Sequence, residues 1–599
     1  MKVASMRKFK PAQLLALCIS LLPVVLLGRL ILKYGVDLID WDQWEVAAFF
    51  EKGSHGALSL GDLFAQQAEY RQFFPNLIFL GLGWLTHWNI KYEMLVSLLL
   101  ACLIAFNVYR LGQLTVGGNR SRLLLLTFVS NLLIFAPVQF ESWLLGEQII
   151  YFMPVACLST CLRVAYSKLN HQSKLIICML LSTVSTFSSA NGLVCWIIVP
   201  PVLLLFRQKK EKRIWDFAIW VIGFALNTIV YFYDYRKPDY TPGLAQSLYH
   251  PLRGLFFFFS LLGAPLVASY RLIIVSAIVG AILAALFLTS CLYVLKLASD
   301  PALKRALIVW LMLAAYSFFT AIIVTIGRMG FGPGQAVTSR YTTFTIYLVI
   351  SLCYLLPLIL DDLRRKGLVA RIRIPIPRLI PLALSILIGL HVLNSAAAIR
   401  QMNWMKIRRL QAKACLLFVN SVPDQCLSKG FPDLGVVKER ANAVNDLGFL
   451  RPSLIKSKKI EDLADTTVMA SSPYGVFESF SLTGNAVFMA TGWARLPGRE
   501  EPADTVLLTY QKDGGEAVIF ALADMRIDQP SFAAVFVKAR SSDWRWQKSF
   551  PLDRVPVAPP VSLSAWAFDA TTGKAYKLTG SYIIETKSDG LHFRDTANP

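Results

Sequence analysis

Apolar residues run in long blocks through the first four hundred positions and in short alternating stretches after them. Eleven blocks are long enough for membrane helices, given roughly 20 residues per crossing and shorter spans inside bundles. They lie near residues 13–32, 93–112, 123–138, 149–166, 175–187, 191–206, 214–232, 272–295, 306–326, 341–360 and 379–398. Two further stretches, 74–88 and 252–268, are short or interrupted by Gly and Pro. The first block follows Lys2, Arg7, Lys8 and Lys10, as a secretory signal would. No small-x-small cleavage site follows it and many more apolar blocks do, so it reads as an uncleaved membrane helix. Residues 400–465 read as a helical connector. From Thr466 to about Glu585, runs such as Ala486–Ala494 and Thr505–Tyr510 alternate between turn signals. The pattern predicts a polytopic α-helical membrane domain over 1–399, with 11 to 13 crossings, and a soluble C-terminal β-sandwich over 466–599.

Composition and charge decide the orientation. Only 16% of the 599 residues are charged, against about 25% in soluble globular chains, which excludes an ordinary cytosolic enzyme. The net charge is +22, of which +18 belongs to residues 1–399 and +4 to 400–599. Positive charge concentrated in the hydrophobic part marks cytoplasmic loops rather than a nucleic-acid surface. If neither 74–88 nor 252–268 crosses, six cytoplasmic segments hold 24 of the 35 basic residues of that part, including Arg110/Arg120/Arg122, Arg207–Arg213 and Arg364–Arg378. If both cross, the clusters between them fall outside, against the positive-inside rule. Eleven crossings are therefore favoured, with the two short stretches dipping into the outer leaflet. Either count is odd, so the N-terminus is expected in the cytoplasm and the C-terminal domain outside a bacterial-type plasma membrane.

On this topology the external loops are 33–92, 139–148, 188–190, 233–271 and 327–340, and the reactive residue types converge there. The first reads Gly35-Val-Asp-Leu-Ile-Asp-Trp-Asp-Gln-Trp-Glu45. Trp41 and Trp44 belong at the membrane–water boundary, which places Asp40, Asp42 and Glu45 at headgroup level. A carboxylate partly desolvated there has a raised pKa and suits general-base work; a helix start among interfacial aromatics accounts for the same residues. The loop continues to Glu69-Tyr-Arg-Gln-Phe-Phe-Pro-Asn76. Arg71, Glu69 and Glu45 are candidates for substrate binding, Arg71 because a guanidinium fork grips oxyanions; for Arg71, anchoring to lipid headgroups is the alternative. Residues Gly327–Tyr341 hold four glycines and a proline between Arg328 and Arg340, a loop whose amides and guanidinium groups could wrap a phosphate. It lacks the Gly-Lys-Ser/Thr ending of a nucleotide loop. Gln139–Gln148, with Glu141 and Glu147, and Ser188–Gly192 face the same side.

This arrangement resembles the GT-C class of polyprenyl-phosphate-sugar-dependent glycosyltransferases, such as the protein mannosyltransferases and the aminoarabinose transferases of lipid A. The residues that carry the resemblance are Asp40 and Asp42 just after the first helix, the long loop to Arg71, and Phe74-Pro75-Asn76, where relatives often show a double Pro. The resemblance covers roughly residues 10–400. It implies transfer of a sugar from a polyprenyl-phosphate donor to a glycan, lipid or protein acceptor, with Asp40 or Asp42 as base and the leaving phosphate held by Arg328, Arg340 and Arg71. A divalent cation (Mg or Mn) could bridge carboxylates and phosphate, although paired arginines make it dispensable. Partners are thus membrane lipid and the two substrates, without nucleic acid. A lipid-linked oligosaccharide ligase or polymerase, or a lipid or sugar transporter, are the alternatives; no internal repeat supports a transporter.

Eight cysteines lie in apolar blocks and read as small core residues. Cys415 and Cys426 fall in the external part without metal-ligand spacing, so a disulfide is the expected pairing. His391 reads as a packed histidine. Trp493, Trp544, Trp546 and Trp566 read mostly as core, with sugar stacking as a second use.

Overall fold

The computed structural model describes residues 11–204, 210–243, 249–368, 376–422, 426, 433–465, 474–483, 487–497, 501–512, 514–526, 544–555, 560–587 and 590–595. The chain forms two compact units, one of Met1–Gly35, Ser59–Phe79 and Lys91–Ile399, the other of Val36–Leu58, Leu80–Ile90 and Arg400–Pro599. Parts of the basic clusters Arg207–Arg213 and Arg364–Arg378, and the start of the strand-rich region at Thr466, lie outside the described residues.

The first unit is helical. Each of the eleven apolar blocks is mainly helical in its described part, the block 123–138 breaking after Ile134. Among the described residues, eight helices are long and apolar enough to cross a membrane: Ile90–Thr115, Arg120–Leu144, Gly146–Ala165, Glu211–Phe232, Tyr270–Lys296, Pro301–Phe331, Ser339–Arg365 and Pro381–Leu417. The two ambiguous stretches are the helices Phe73–Thr86 and Pro251–Gly263, of 14 and 13 residues. At 1.5 Å per residue each reaches only about 20 Å, short of the roughly 30 Å hydrocarbon core. Polar caps set several helix starts: Asn119 and Asn170 accept from the amides of Arg122 and Ser173, and Asp300 accepts from Ala302 ahead of the long helix Pro301–Arg328.

Lipid offers apolar helices no hydrophobic reason to associate, so close backbone approach and interhelical hydrogen bonds hold them together. Pro251–Gly263 lies against Tyr270–Lys296 so closely that a Cβ on Gly280 would meet the Phe259 carbonyl oxygen at 1.8 Å. Ser276 Oγ donates to the Ser260 carbonyl there at 2.8 Å. Elsewhere Asn107 Nδ2 donates to Thr160 Oγ1 at 2.9 Å. The Trp310 ring stacks on Tyr354 with centroids 3.8 Å apart while its Nε1 donates to Thr115 Oγ1.

The second unit is built on eight strands: β1 (Gly475–Thr483), β2 (Val487–Ala494), β3 (Thr505–Gln511), β4 (Val518–Met525), β5 (Arg545–Pro551), β6 (Val561–Asp569), β7 (Lys574–Lys587) and β8 (Gly590–Asp595). They hydrogen-bond in the order β1-β2-β5-β4-β3-β6-β7-β8, with a further parallel pairing of β1 to β7 at Val476 and Thr579. β4 meets β5 through Asp524↔Gln547 and Met525↔Trp546, and just beyond them the Arg526 amide donates to the Arg545 carbonyl at 2.7 Å. The pairings β4–β5 and β1–β7 join the strands into one continuous sheet that closes on itself, in place of the two separate layers expected of a sandwich. Alternation along β2 and β6 buries one face of each strand. Trp546, 1% exposed, packs with Phe477, Phe480 and Phe550 in the centre; Trp493, Trp544 and Trp566 are half-buried. The end of the helix Ile376–Leu417 supplies Ala414 and Leu417, and the turn after it Phe418, to a second core cluster with Leu507 and Phe568. Cys415, in that helix, is bonded to Cys426, with Cα atoms 5.7 Å apart. The other eight cysteines are free thiols.

Candidate functional site

The first unit contains a cavity of about 450 Å³, within the usual size of small-ligand sites. Its walls are mostly aromatic and aliphatic, with Tyr231, Phe232, Ile323, Ile326 and Phe344 among them, and its polar residues include Glu69, Tyr70, Tyr151, Asn191, Lys237, Arg328 and Tyr341; Arg340 is not in the lining. Helix ends place most of these. Arg328 is the last residue of Pro301–Arg328, where a cation complements the helix dipole. Arg340 and Tyr341 open Ser339–Arg365. Asn191 sits in the 3-10 turn Ala190–Leu193, which packs so tightly that a Cβ on Gly192 would meet the Ser185 carbonyl oxygen at 1.8 Å; only glycine fits there.

Arg328 Nη2 donates to Glu69 Oε2 in an ion pair whose side chains are 19% and 18% exposed, and the same nitrogen lies 3.5 Å from Tyr70 Oη. Burial pushes the Tyr70 hydroxyl up to about 12 against the opposing pull of Arg328, so it stays a neutral hydrogen-bond donor. The Arg340 guanidinium lies over the Tyr341 ring, 5.5 Å from its centroid. Tyr151 is within electrostatic reach of both Arg328 and Arg340, which ties the two arginines to one neighbourhood. Arg340 Nε is buried and has no hydrogen-bond partner among the described residues. Glu141 is occupied nearby: its Oε2 accepts from Ser339 Oγ at 2.8 Å and from the Arg340 main-chain amide at 3.1 Å. Asn191 Nδ2 donates to Tyr316 Oη at 2.9 Å, while its buried Oδ1 has no partner among the described residues.

Two expectations about this region change. Arg71 does not line the cavity. Its Nε donates to the Tyr231 carbonyl at 2.7 Å, Nη1 to that of Phe64 at 3.0 Å, and Nη2 to that of Tyr233. It caps the C-terminus of the helix Lys210–Phe232, so its fork is held by backbone oxygens instead of standing ready for a phosphate. The loop between Arg328 and Arg340 is not an open amide cradle either. It folds into the 3-10 turns Met329–Phe331 and Pro333–Val337. The amides of Gly332, Gln335, Thr338 and Tyr341 bond to carbonyls three residues earlier. The tyrosines had no separate signal in the sequence beyond adjacency, Tyr70 to Glu69 and Tyr341 to Arg340, because aromatic residues are common at membrane boundaries.

Asp40, Asp42 and Glu45 belong to the second unit. Asp40 Oδ2 lies 3.4 Å from Arg409 Nε, with side chains 14% and 6% exposed, and Arg409 Nη2 donates to the Leu38 carbonyl at 2.9 Å. Burial raises the Asp40 carboxyl above its ordinary 3.8, and Arg409 opposes the shift without cancelling it. Asp42 is exposed at the N-cap position of the helix Gln43–Ser54 and makes no side-chain cap bond. Glu45 pairs with Arg440 at 3.2 Å in an exposed position. Between Asp40 and Asp42, Trp41 holds φ at 45° and is 58% exposed. A left-handed conformation at a bulky residue is uncommon and turns the chain sharply between the two carboxylates. Arg409 carried no sequence signal: it is one of several basic residues on a helix continuing out of an apolar block.

Among the described residues no three His, Cys, Asp or Glu side chains converge to hold a metal ion. No family model and no curated protein matches the chain. One solved structure, ArnT from Cupriavidus metallidurans bound to undecaprenyl phosphate, is similar over 73% of this chain and 75% of that one, at 14% identity and a TM-score of 0.35.

Proposed function

We propose that this chain is a GT-C-type glycosyltransferase. In this reading it moves a sugar from a polyprenyl-phosphate donor to a glycan, lipid or protein acceptor on the outer face of a bacterial-type plasma membrane. One observation carries the reading: Arg328 lines an apolar aromatic cavity at the end of one membrane-length helix, and Arg340, outside that lining, opens the next such helix within electrostatic reach of the same Tyr151. Charge is costly in such surroundings and marks function there. An apolar wall with cations at one end suits a ligand that is a hydrocarbon chain on one side of a phosphate and a sugar on the other.

The chemistry follows from that ligand. The acceptor oxygen bonds to the anomeric carbon, the carbon–oxygen bond to the phosphate breaks, and the electron pair leaves with the phosphate. The negative charge on that group grows along the reaction, so Arg328 and Arg340 stabilise the transition state more than the bound donor. Asn191 Oδ1, a buried acceptor without a partner, suits a sugar hydroxyl. Asp40 is the carboxylate assigned to the acceptor proton, because burial raises its carboxyl above the ordinary value and so suits it to take a proton. Two arginines supply the charge that a divalent cation would otherwise bring.

The test is donor consumption. Purified protein in proteoliposomes, given a radiolabelled polyprenyl-phosphate sugar and a cell-envelope extract as acceptor source, is expected to release polyprenyl phosphate and lose label from the lipid. Transport of intact donor across the bilayer without cleavage would overturn the reading in favour of a transporter.

A further inference from the structure

We propose that Glu69 is a resident counter-ion that occupies Arg328 in place of the donor phosphate and competes with it, so that the spent polyprenyl phosphate is let go. This rests on the donor reading above and adds a role for a residue that neither the base nor the phosphate clasp requires.

The two arginines are not equivalent. Among the described residues no carboxylate is hydrogen-bonded to the Arg340 guanidinium: Glu141, held by Ser339 and by the Arg340 main chain, and Glu147 act on it only through space. Arg328 is already paired with Glu69. Both side-chain hydrogen bonds of Arg328 among the described residues run through Nη2, which reaches Glu69 and Tyr70. Nη2 belongs to both edges by which a guanidinium grips an anion in bidentate fashion. A phosphate taking two parallel N–H bonds from Arg328 must therefore displace one of these partners, and it meets the carboxylate as a like charge in any geometry.

Glu69 cannot simply drift away once displaced. Its own carbonyl accepts from Tyr231 Oη at 3.3 Å, and the next two residues hold the segment in place: Tyr70 is in the cavity wall and Arg71 is clamped to three backbone carbonyls. The carboxylate stays beside the cavity as a standing competitor. That explains why the neighbouring arginine is built into the backbone instead of the ligand site.

The charges of the ligands give this competition a purpose. The donor is a phosphodiester with one negative charge; the product is a monoester carrying roughly −1.5 to −2 at neutral pH. Two unopposed arginines would hold the product more tightly than the donor, and release would limit turnover. With Glu69 in place, Arg340 takes the donor, Arg328 is drawn from Glu69 to the phosphate as charge builds on it, and Glu69 recaptures Arg328 to expel the product.

The experiment measures binding of farnesyl phosphate, a short prenyl monoester, to the full chain in detergent by isothermal titration. Glu69→Gln is expected to bind it on the order of tenfold more tightly than the wild type. Glu69→Ala must shift the same way, and Arg328→Met must abolish the gain when combined with either. Tighter binding is a result that damage to the fold would not produce. Equal or weaker binding by both Glu69 variants, with Arg340→Ala still weakening it, would overturn the counter-ion while leaving the donor site intact. Wild-type binding that is absent, or indifferent to both Arg328→Met and Arg340→Ala, would overturn the donor site and this inference with it.

Discussion

Asp40→Asn is expected to lower kcat/KM by about 10²–10⁴-fold, the usual contribution of a positioned base, with little change in donor affinity. The substitution keeps the shape and an oxygen acceptor for Arg409 but removes the ability to take a proton. Leaving a buried arginine opposite a neutral partner costs stability, so thermal unfolding has to be measured alongside turnover. A loss of turnover at a temperature where the variant is still folded isolates the chemistry. The wild-type pH profile supplies a second readout. Burial holds the Asp40 carboxyl above 3.8, so as pH falls the base is protonated early, and the acid limb of kcat/KM should have its midpoint above that value. The same limb should be missing from the residual activity of Asp40→Asn. Asp42→Asn, at an exposed position, should change either quantity far less.

Arg340→Ala is expected to weaken donor binding by about 10–100-fold, from loss of charged hydrogen bonds at a buried anion site, and to lower turnover further. The second effect arises because the phosphate carries more charge in the transition state than in the donor. Arg340→Lys separates charge from geometry: it keeps the cation but not the planar fork, and should recover part of the binding and less of the turnover. Steady-state kinetics with varied donor checks both. A donor KM unchanged by Arg340→Ala would remove Arg340 from the site.

Much of the membrane fold is legible in the sequence because a bilayer demands unbroken apolar length. All eleven apolar blocks are mainly helical in their described parts, and the broken stretches 74–88 and 252–268 are helices too short to cross alone. What joins the helices is less visible. Gly263 and Gly280 allow two backbones to touch, yet in sequence they are two of 35 glycines. The candidate site divides in the same way. Its charged residues could be found one by one, since charge near an apolar block is conspicuous, but their partners lie far away in the chain. Glu69 and Arg328 are separated by 259 positions, and Asp40 is matched by a residue on a helix that reads only as a connector. Arg71 illustrates the opposite failure. An arginine at a membrane boundary looks the same in sequence whether it waits for a phosphate or caps a helix, and only the three carbonyls around it decide.

The central claim is that a polyprenyl phosphate sits in the cavity of the first unit with its phosphate on the two arginines. An experimental structure of the protein with polyprenyl phosphate bound tests this most directly. The predicted result is phosphate density within about 3 Å of the guanidinium nitrogens of Arg328 and Arg340, the prenyl chain along Ile323, Ile326 and Phe344, and Glu69 displaced from Arg328. Lipid bound elsewhere, with the cavity empty and Arg328 still on Glu69, would contradict it.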